Sequence, residues 1–329
     1  MQAIAWFCFL VLSMVTRVEA SEMIDQSEMI PVNGTMQFLL YRGEDQSKPL
    51  VLFVHGGPVS PLSMFARGFD GPFLKDFVVV HWDQRLSGKS YDPAVPVESF
   101  TADQIARDGL VVVEHLKKKF KREKIILVGH SWGSIIGAKM ASARPESFTA
   151  YVSVGTVADM QAGDEAKFEF LKSSVERAGD DQDRVHLANL GAPPWREFAK
   201  LVSLSRLMNK FKGTFYGLSG EEIDRGTGQS TEYKEEDFNN LNTVLTQVWP
   251  RVAPYLESFK AAASMPSMPV RIYFAQGTHD MATPTSIARN YFSVLKADKE
   301  WVDFPASAHF PMYEEPEKFL ELLKRASFN

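Results

Sequence analysis

The 329-residue chain predicts an α/β fold: a mostly parallel sheet with helices on both faces and an inserted helical cap. Three observations point to it. Short, fully apolar runs alternate with helix-length stretches between residues 50 and 154. A Gly-x-Ser-x-Gly turn, Gly129-His130-Ser131-Trp132-Gly133, joins one of those runs to a helix. The alternation stops at Gly155 and resumes only near Val270.

The elements follow in order. Residues 27–31 and 35–41 read as antiparallel strands around an Asn33-Gly34 turn, the dipeptide that suits a two-residue hairpin. Residues 50–54, Leu-Val-Leu-Phe-Val, have no polar side and suit a strand buried on both faces. Residues 77–82 form the next strand, and residues 101–120 a helix with Asp103 near its start. The run at 125–128 enters the Gly-x-Ser-x-Gly turn, and the helix beyond it stops near Arg144-Pro145. A strand at 151–154 precedes the break. Residues 155–265 are helical, charged and aromatic, with no buried-strand run. Strands at 270–275 and 300–304 and a helix at 315–326 complete the core. The expected division is a leader at 1–20, a core at 21–154 and 268–329, and a cap at 155–267.

Composition narrows the class. The net charge is −5, and 45% apolar with 23% charged residues is ordinary for a globular protein. The one dense basic run, Lys117 to Lys119 with Lys121 and Arg122, sits at a helix end, where cations offset the helix dipole. Nothing favours nucleic acid. Residues 3–15 are mostly apolar and Val18-Glu19-Ala20 fits a cleavage site before Ser21, so a secreted or periplasmic mature chain is expected, although no Lys or Arg precedes the apolar run. That run is short for a bilayer span. Cys8, the only cysteine, lies within it, which leaves the mature chain without a thiol nucleophile. Asn33-Gly34-Thr35 is also a glycosylation sequon.

Ser131 sits where a strand turns sharply into a helix, the arrangement that lifts a nucleophilic serine above a sheet edge. A serine hydroxyl needs a base, and the base needs an acid to orient it. In this arrangement the chain order is serine, acid, histidine. His309, in the loop after the last strand, is the expected base, with His279 as its downstream rival. Asp280, at the end of the 270–275 strand, is the expected acid, with Asp159 as its rival. The oxyanion needs two backbone donors, each contributing about 3 kcal/mol. Trp132 supplies one; the loop His55-Gly56-Gly57-Pro58 supplies the other from Gly57, with Gly56 as alternative. No histidine pair has metal-ligand spacing and no phosphate-binding glycine loop is present, so no cofactor is implied.

Three motifs resemble the proline iminopeptidase family of serine peptidases, within the α/β hydrolases. They are His55-Gly56-Gly57-Pro58, Asp83-Gln84-Arg85-Leu86-Ser87-Gly88-Lys89-Ser90 and Gly129-His130-Ser131-Trp132-Gly133-Ser134. Val59, Leu86 and His130 stand where the family has glycines, so a somewhat different loop path is expected at Val59. The resemblance implies structural roles for Asp83 and Arg85, and the residues themselves suit an internal ion pair. It also implies cap carboxylates that bind the substrate's α-amine. Glu165, Glu169, Glu221 and Glu222 are candidates on charge, though each also fits a solvated face. Trp195, Phe215, Tyr216 and Trp249 fit either an apolar pocket or the cap core.

The expected activity is therefore that of a serine hydrolase working through an acyl-enzyme. By resemblance it is an aminopeptidase releasing an N-terminal residue, such as proline, from small peptides. A carboxylesterase or lactonase is the near alternative, and a non-enzymatic ligand-binding protein on the same scaffold the distant one. Epoxide and dehalogenation chemistry would need an Asp where Ser131 stands.

Overall fold

The computed structural model describes residues 22–328. The leader reading and Cys8 lie outside the described residues. Eight strands form one sheet in the order β1-β2-β4-β3-β5-β6-β7-β8. They are β1 (Ile24–Val32), β2 (Thr35–Gly43), β3 (Leu50–Val54), β4 (Val78–Trp82), β5 (Ile125–His130), β6 (Phe148–Val154), β7 (Ile272–Gly277) and β8 (Lys299–Phe304). From β4 to β8 every neighbouring pair is parallel; the β1–β2 and β2–β4 pairs are antiparallel. Asn33 and Gly34 close the β1–β2 hairpin with φ values of 43° and 82°, the left-handed pair that matches strand twist. Asn33 Nδ2 also donates to Asp108 Oδ1 at 2.8 Å.

β1 begins three residues before the apolar pattern does. Its first turns, Asp25 to Glu28, are polar because this is the sheet's edge strand. Glu28 there accepts from Tyr41 Oη (2.6 Å), His115 Nε2 (2.7 Å) and Lys119 Nζ (3.2 Å). Long-range partners, not alternation, hold this strand.

The central strands are buried on both sides. Leu52, Val54, Val80 and Leu127 face the helices Ala102–Phe120 and Trp132–Ala143 through Ile105, Val112, Leu116 and Ile135. Val51, Phe53, Val79 and Val128 face the C-terminal helix Pro316–Ser327 through Phe319, Leu322 and Leu323. Thr101 caps the first helix by accepting from Gln104 N. Its last turn carries Lys117, Lys118 and Lys119.

Between β6 and β7 the described residues add helices but no strand to the sheet: Met160–Ala178, Asp181–Leu190, Phe198–Lys210, Gly220–Thr227, Glu235–Ser258 and a single turn at Ala261–Ser264. Leu171, Val175, Leu190, Trp195, Leu207 and Met208 form a small separate core among them. The long Glu235–Ser258 helix instead sends Val244, Val248 and Val252 into the main core. No helix among the described residues is long and apolar enough to cross a membrane.

Candidate active site

Ser131 follows β5 with φ 54° and ψ −122°, a backbone conformation that costs a non-glycine residue about 1–3 kcal/mol. The surroundings impose it. Ser131 N donates to Val154 O at 2.9 Å, tying the turn to β6. A Cβ on Gly133 would lie 2.0 Å from Val54 O, and one on Gly129 2.4 Å from Gly133 O, so only glycine fits at either flank. The helix beginning at Trp132 points its N-terminus at this turn.

His309 stands in the loop after β8, and its Nδ1 lies 2.9 Å from Asp280 Oδ2. Asp280 is 1% exposed and held on both oxygens: Oδ1 accepts from Thr283 N and Oδ2 from Thr283 Oγ1, each at 2.9 Å. With Nδ1–H committed to Asp280, His309 presents Nε2 as its basic nitrogen. The rival residues are occupied elsewhere. Asp159 caps the Met160–Ala178 helix and pairs with Lys260 at 3.3 Å. His279 stacks on Tyr216 with ring centres 3.5 Å apart.

His130, in place of the family's glycine, packs its ring 4.6 Å from that of His309, and its Nε2 lies 2.9 Å from His309 O. Burial, then the charge of His309, pushes its pKa well below the ordinary histidine value, so it stays neutral and acts as a prop. The His309 loop is also tied to the insertion, because His309 N donates to Thr214 O at 2.9 Å.

Both expected oxyanion donors, Gly57 and Trp132, border the same cavity as Ser131 and His309. Gly57 has φ 115°, while Val59 is buried and keeps a negative φ. Gly56 abuts Ser131, with room for no side chain: its Cβ would lie 2.8 Å from that of Ser131.

Gln84 was visible in the sequence motif but carried no assigned role. Its Oε1 accepts from Trp132 Nε1 (3.3 Å), its Nε2 donates to His55 O (2.9 Å) and its backbone N–H donates to His55 Nε2 (3.1 Å). It thereby links the two loops that carry the expected oxyanion donors. Burial lowers the His55 pKa to about 4, which keeps this imidazole an acceptor at neutral pH.

Asp83 and Arg85 do not pair with each other, contrary to the ion pair expected of them. Arg85 grips Asp108 with two bonds, at 2.6 and 3.0 Å. Asp83 instead accepts from Ser63 Oγ, Tyr233 Oη and Lys89 N, so it fastens the insertion to the core. Nearby, Lys89 reaches Asp237 at 3.0 Å and Arg67 reaches Glu232 at 2.5 Å. Leu86 keeps a left-handed φ of 59° where the family has glycine.

The cavity measures about 590 Å³. Trp249 and Phe215 line it, together with Leu204, Leu241 and Leu245. Trp195 does not: it is buried in the insertion's own core, its Nε1 donating to Gly191 O. The four glutamates expected to hold an α-amine are also elsewhere. Glu165 and Glu169 lie exposed beside Gln161 and Lys172. Glu222 closes a capping box with Ser219, and the exposed Glu221 lies in the same first turn. Helical periodicity put them all on helices but could not say which face looked inward. Among the described residues lining the cavity there is no Asp or Glu; the one Lys or Arg is Lys167, which sequence reasoning did not single out. No group of three His, Cys, Asp or Glu among the described residues is placed to hold a metal.

The model of the α/β hydrolase fold family matches residues 49–316, which spans strands β3 to β8 and the insertion. The chain belongs to the α/β hydrolase family. The protein named "Probable aminopeptidase YbaC" from Bacillus subtilis (strain 168) is 30% identical over 301 residues, covering 90% of this hydrolase and 94% of its relative. Proline iminopeptidase from Heyndrickxia coagulans is 21% identical over 273 residues, covering 83% and 88%. The crystal structure of proline iminopeptidase from Mycobacterium smegmatis superposes with a TM-score of 0.66 at 18% identity, covering 92% and 97%. The hydrolase is thus proline iminopeptidase-like in sequence and in fold.

Proposed function

We propose that this hydrolase cleaves small ester or amide substrates through an acyl-enzyme on Ser131. The observation that carries the reading is that His309, held by Asp280 at 2.9 Å, lines the same cavity as Ser131. Ser131 Oγ attacks the substrate carbonyl while His309 Nε2 takes its proton, and Asp280 holds the ring and stabilises its positive charge. The N–H groups of Gly57 and Trp132 hold the developing oxyanion. His309 then protonates the leaving group, and water, deprotonated by the same nitrogen, releases the acid. The core and insertion at 155–267 together enclose the site, which favours small substrates over long chains. The apolar run before Ser21 supports a secreted or periplasmic location.

The relatives' names support an aminopeptidase. A second reading, a carboxylesterase, is favoured by the absence of any carboxylate among the described cavity-lining residues, since a free α-ammonium group would meet no counter-charge there. A fluorophosphonate probe should label the wild type and not Ser131→Ala; equal labelling of both would overturn the serine mechanism. Prolyl and other aminoacyl arylamides, run beside short-chain aryl esters, separate the two readings by kcat/KM.

A further inference from the structure

On the acyl-enzyme reading of Ser131, we propose that Lys167 selects acyl groups that end in an anion, a carboxylate above all, and turns away acyl groups with a free ammonium. Lys167 lies on the Met160–Ala178 helix, is 6% exposed and lines the same cavity as Ser131 and His309. A helical lysine ordinarily extends its ammonium into water, as the half-exposed Lys172 does one turn later where it pairs with Glu169. Lys167 is buried instead, with Trp195 stacked 5.8 Å from its ammonium.

Its charge is offset by one carboxylate. An ammonium has three donors, and the one acceptor that Lys167 finds among the described residues is Asp164 Oδ1 at 2.9 Å. Asp164 itself does not line the cavity. Ser205 and Asn209, on the Phe198–Lys210 helix, also line it; both are exposed, so they mark the cavity's solvent-facing side. Most of the remaining wall is apolar, as at Leu204 and Leu245. In such surroundings charges attract and repel far more strongly than in water. The pocket therefore has an apolar wall for a carbon chain and a cationic, donor-bearing wall for its end. A half-ester or half-amide of a dicarboxylic acid fits that description.

The test compares 4-nitrophenyl esters of matched chain length: pentanoate (neutral), glutarate (anionic) and 4-aminobutanoate (cationic), with succinate, adipate and suberate half-esters to find the span. The best anionic ester should exceed its neutral match in kcat/KM by about tenfold or more, with the cationic ester lowest. Lys167→Met should bring the anionic-to-neutral ratio towards one, and Lys167→Glu should invert it in favour of the cationic ester. Fluorophosphonate labelling of Ser131 in both variants shows that the site is still assembled. An enzyme that labels at Ser131 but prefers no anionic ester at any length, or one that turns over prolyl or leucyl arylamides best, overturns the selectivity of Lys167 and leaves the serine mechanism standing. Wild-type protein that does not label overturns both. Equal losses on neutral and anionic esters in Lys167→Met assign the lysine to packing and also overturn the proposal.

Discussion

Around Ser131 a Cβ on Gly133 would lie 2.0 Å from Val54 O, whereas in the insertion Gly179, Gly191 and Gly220 have nothing within 4 Å of theirs. The sheet's rim is positioned by backbone crowding and strand register, with little left to side-chain choice. The insertion is anchored by Val244, Val248 and Val252 in the main core and is fastened across its seam by polar clasps: Tyr233 on Asp83, Glu232 on Arg67 and Asp237 on Lys89. The first kind of constraint is hard to alter without unfolding the protein. The second can be retuned one side chain at a time.

Three substitutions probe this contrast. The largest effect is expected at the rim. Asp280→Asn should lower kcat by about 10⁴-fold, roughly 5 kcal/mol of barrier, with little change in thermal midpoint, because it removes the group that holds His309 Nδ1–H. A variant within tenfold of wild type would show that the rim geometry does not govern the chemistry.

The next effect is expected at the seam. Burial raises the Asp83 carboxyl from 3.8 to about 6, against the lowering pull of its Ser63, Tyr233 and Lys89 donors. Between about pH 4 and pH 6 the folded protein therefore keeps a proton that the unfolded chain has released. This group's contribution to stability is full below pH 4 and falls by about 3 kcal/mol as pH rises through 6. His55 and His130, whose pKa values are lowered by burial, act in the opposite direction as pH falls. Comparing wild type with Asp83→Asn by urea unfolding from pH 4 to 7 cancels them. The variant should gain on wild type as pH rises, and a pH-independent difference would remove Asp83 from the account.

The smallest effect is expected in the open part of the insertion. Gly220→Ala, at the first residue of the Gly220–Thr227 helix, should stabilise by about 0.5 kcal/mol in thermal unfolding, with kcat/KM unchanged. A loss of stability there would mean that the insertion is as tightly constrained as the rim.

The same contrast decides what could be read from the amino-acid order. The apolar runs at β3, β5 and β7 are buried on both faces, so their composition alone marked them. Chain order singled out His309 and Asp280 because each sits in a loop straight after a parallel strand, and their side chains lie 2.9 Å apart. β1 was underestimated because its polar residues are held by distant partners such as His115. In the insertion, Trp195 and Trp249 look alike in sequence, yet Trp249 lines the cavity while its Nε1 donates to the carbonyl of the buried Trp195. Trp195 lies in the loop before the Phe198–Lys210 helix and Trp249 on the Glu235–Ser258 helix, and a charged, solvated helical region has too weak an apolar stripe to show which side chains turn inward. Lys167 went unnoticed for the same reason. Gln84 was overlooked because its role is a bridge between two loops far apart in the chain.

Gly155 closes β6 with φ 54°, and a Cβ there would lie 2.7 Å from His309 Nδ1. The first residue past the sheet on the way into the insertion is therefore also the floor on which the imidazole rests. A chimera that exchanges insertions between relatives would have to splice after this glycine, treating it as part of the recipient's machinery. A donor segment that brought any larger residue to that junction would dislodge the ring, however well its own helices packed.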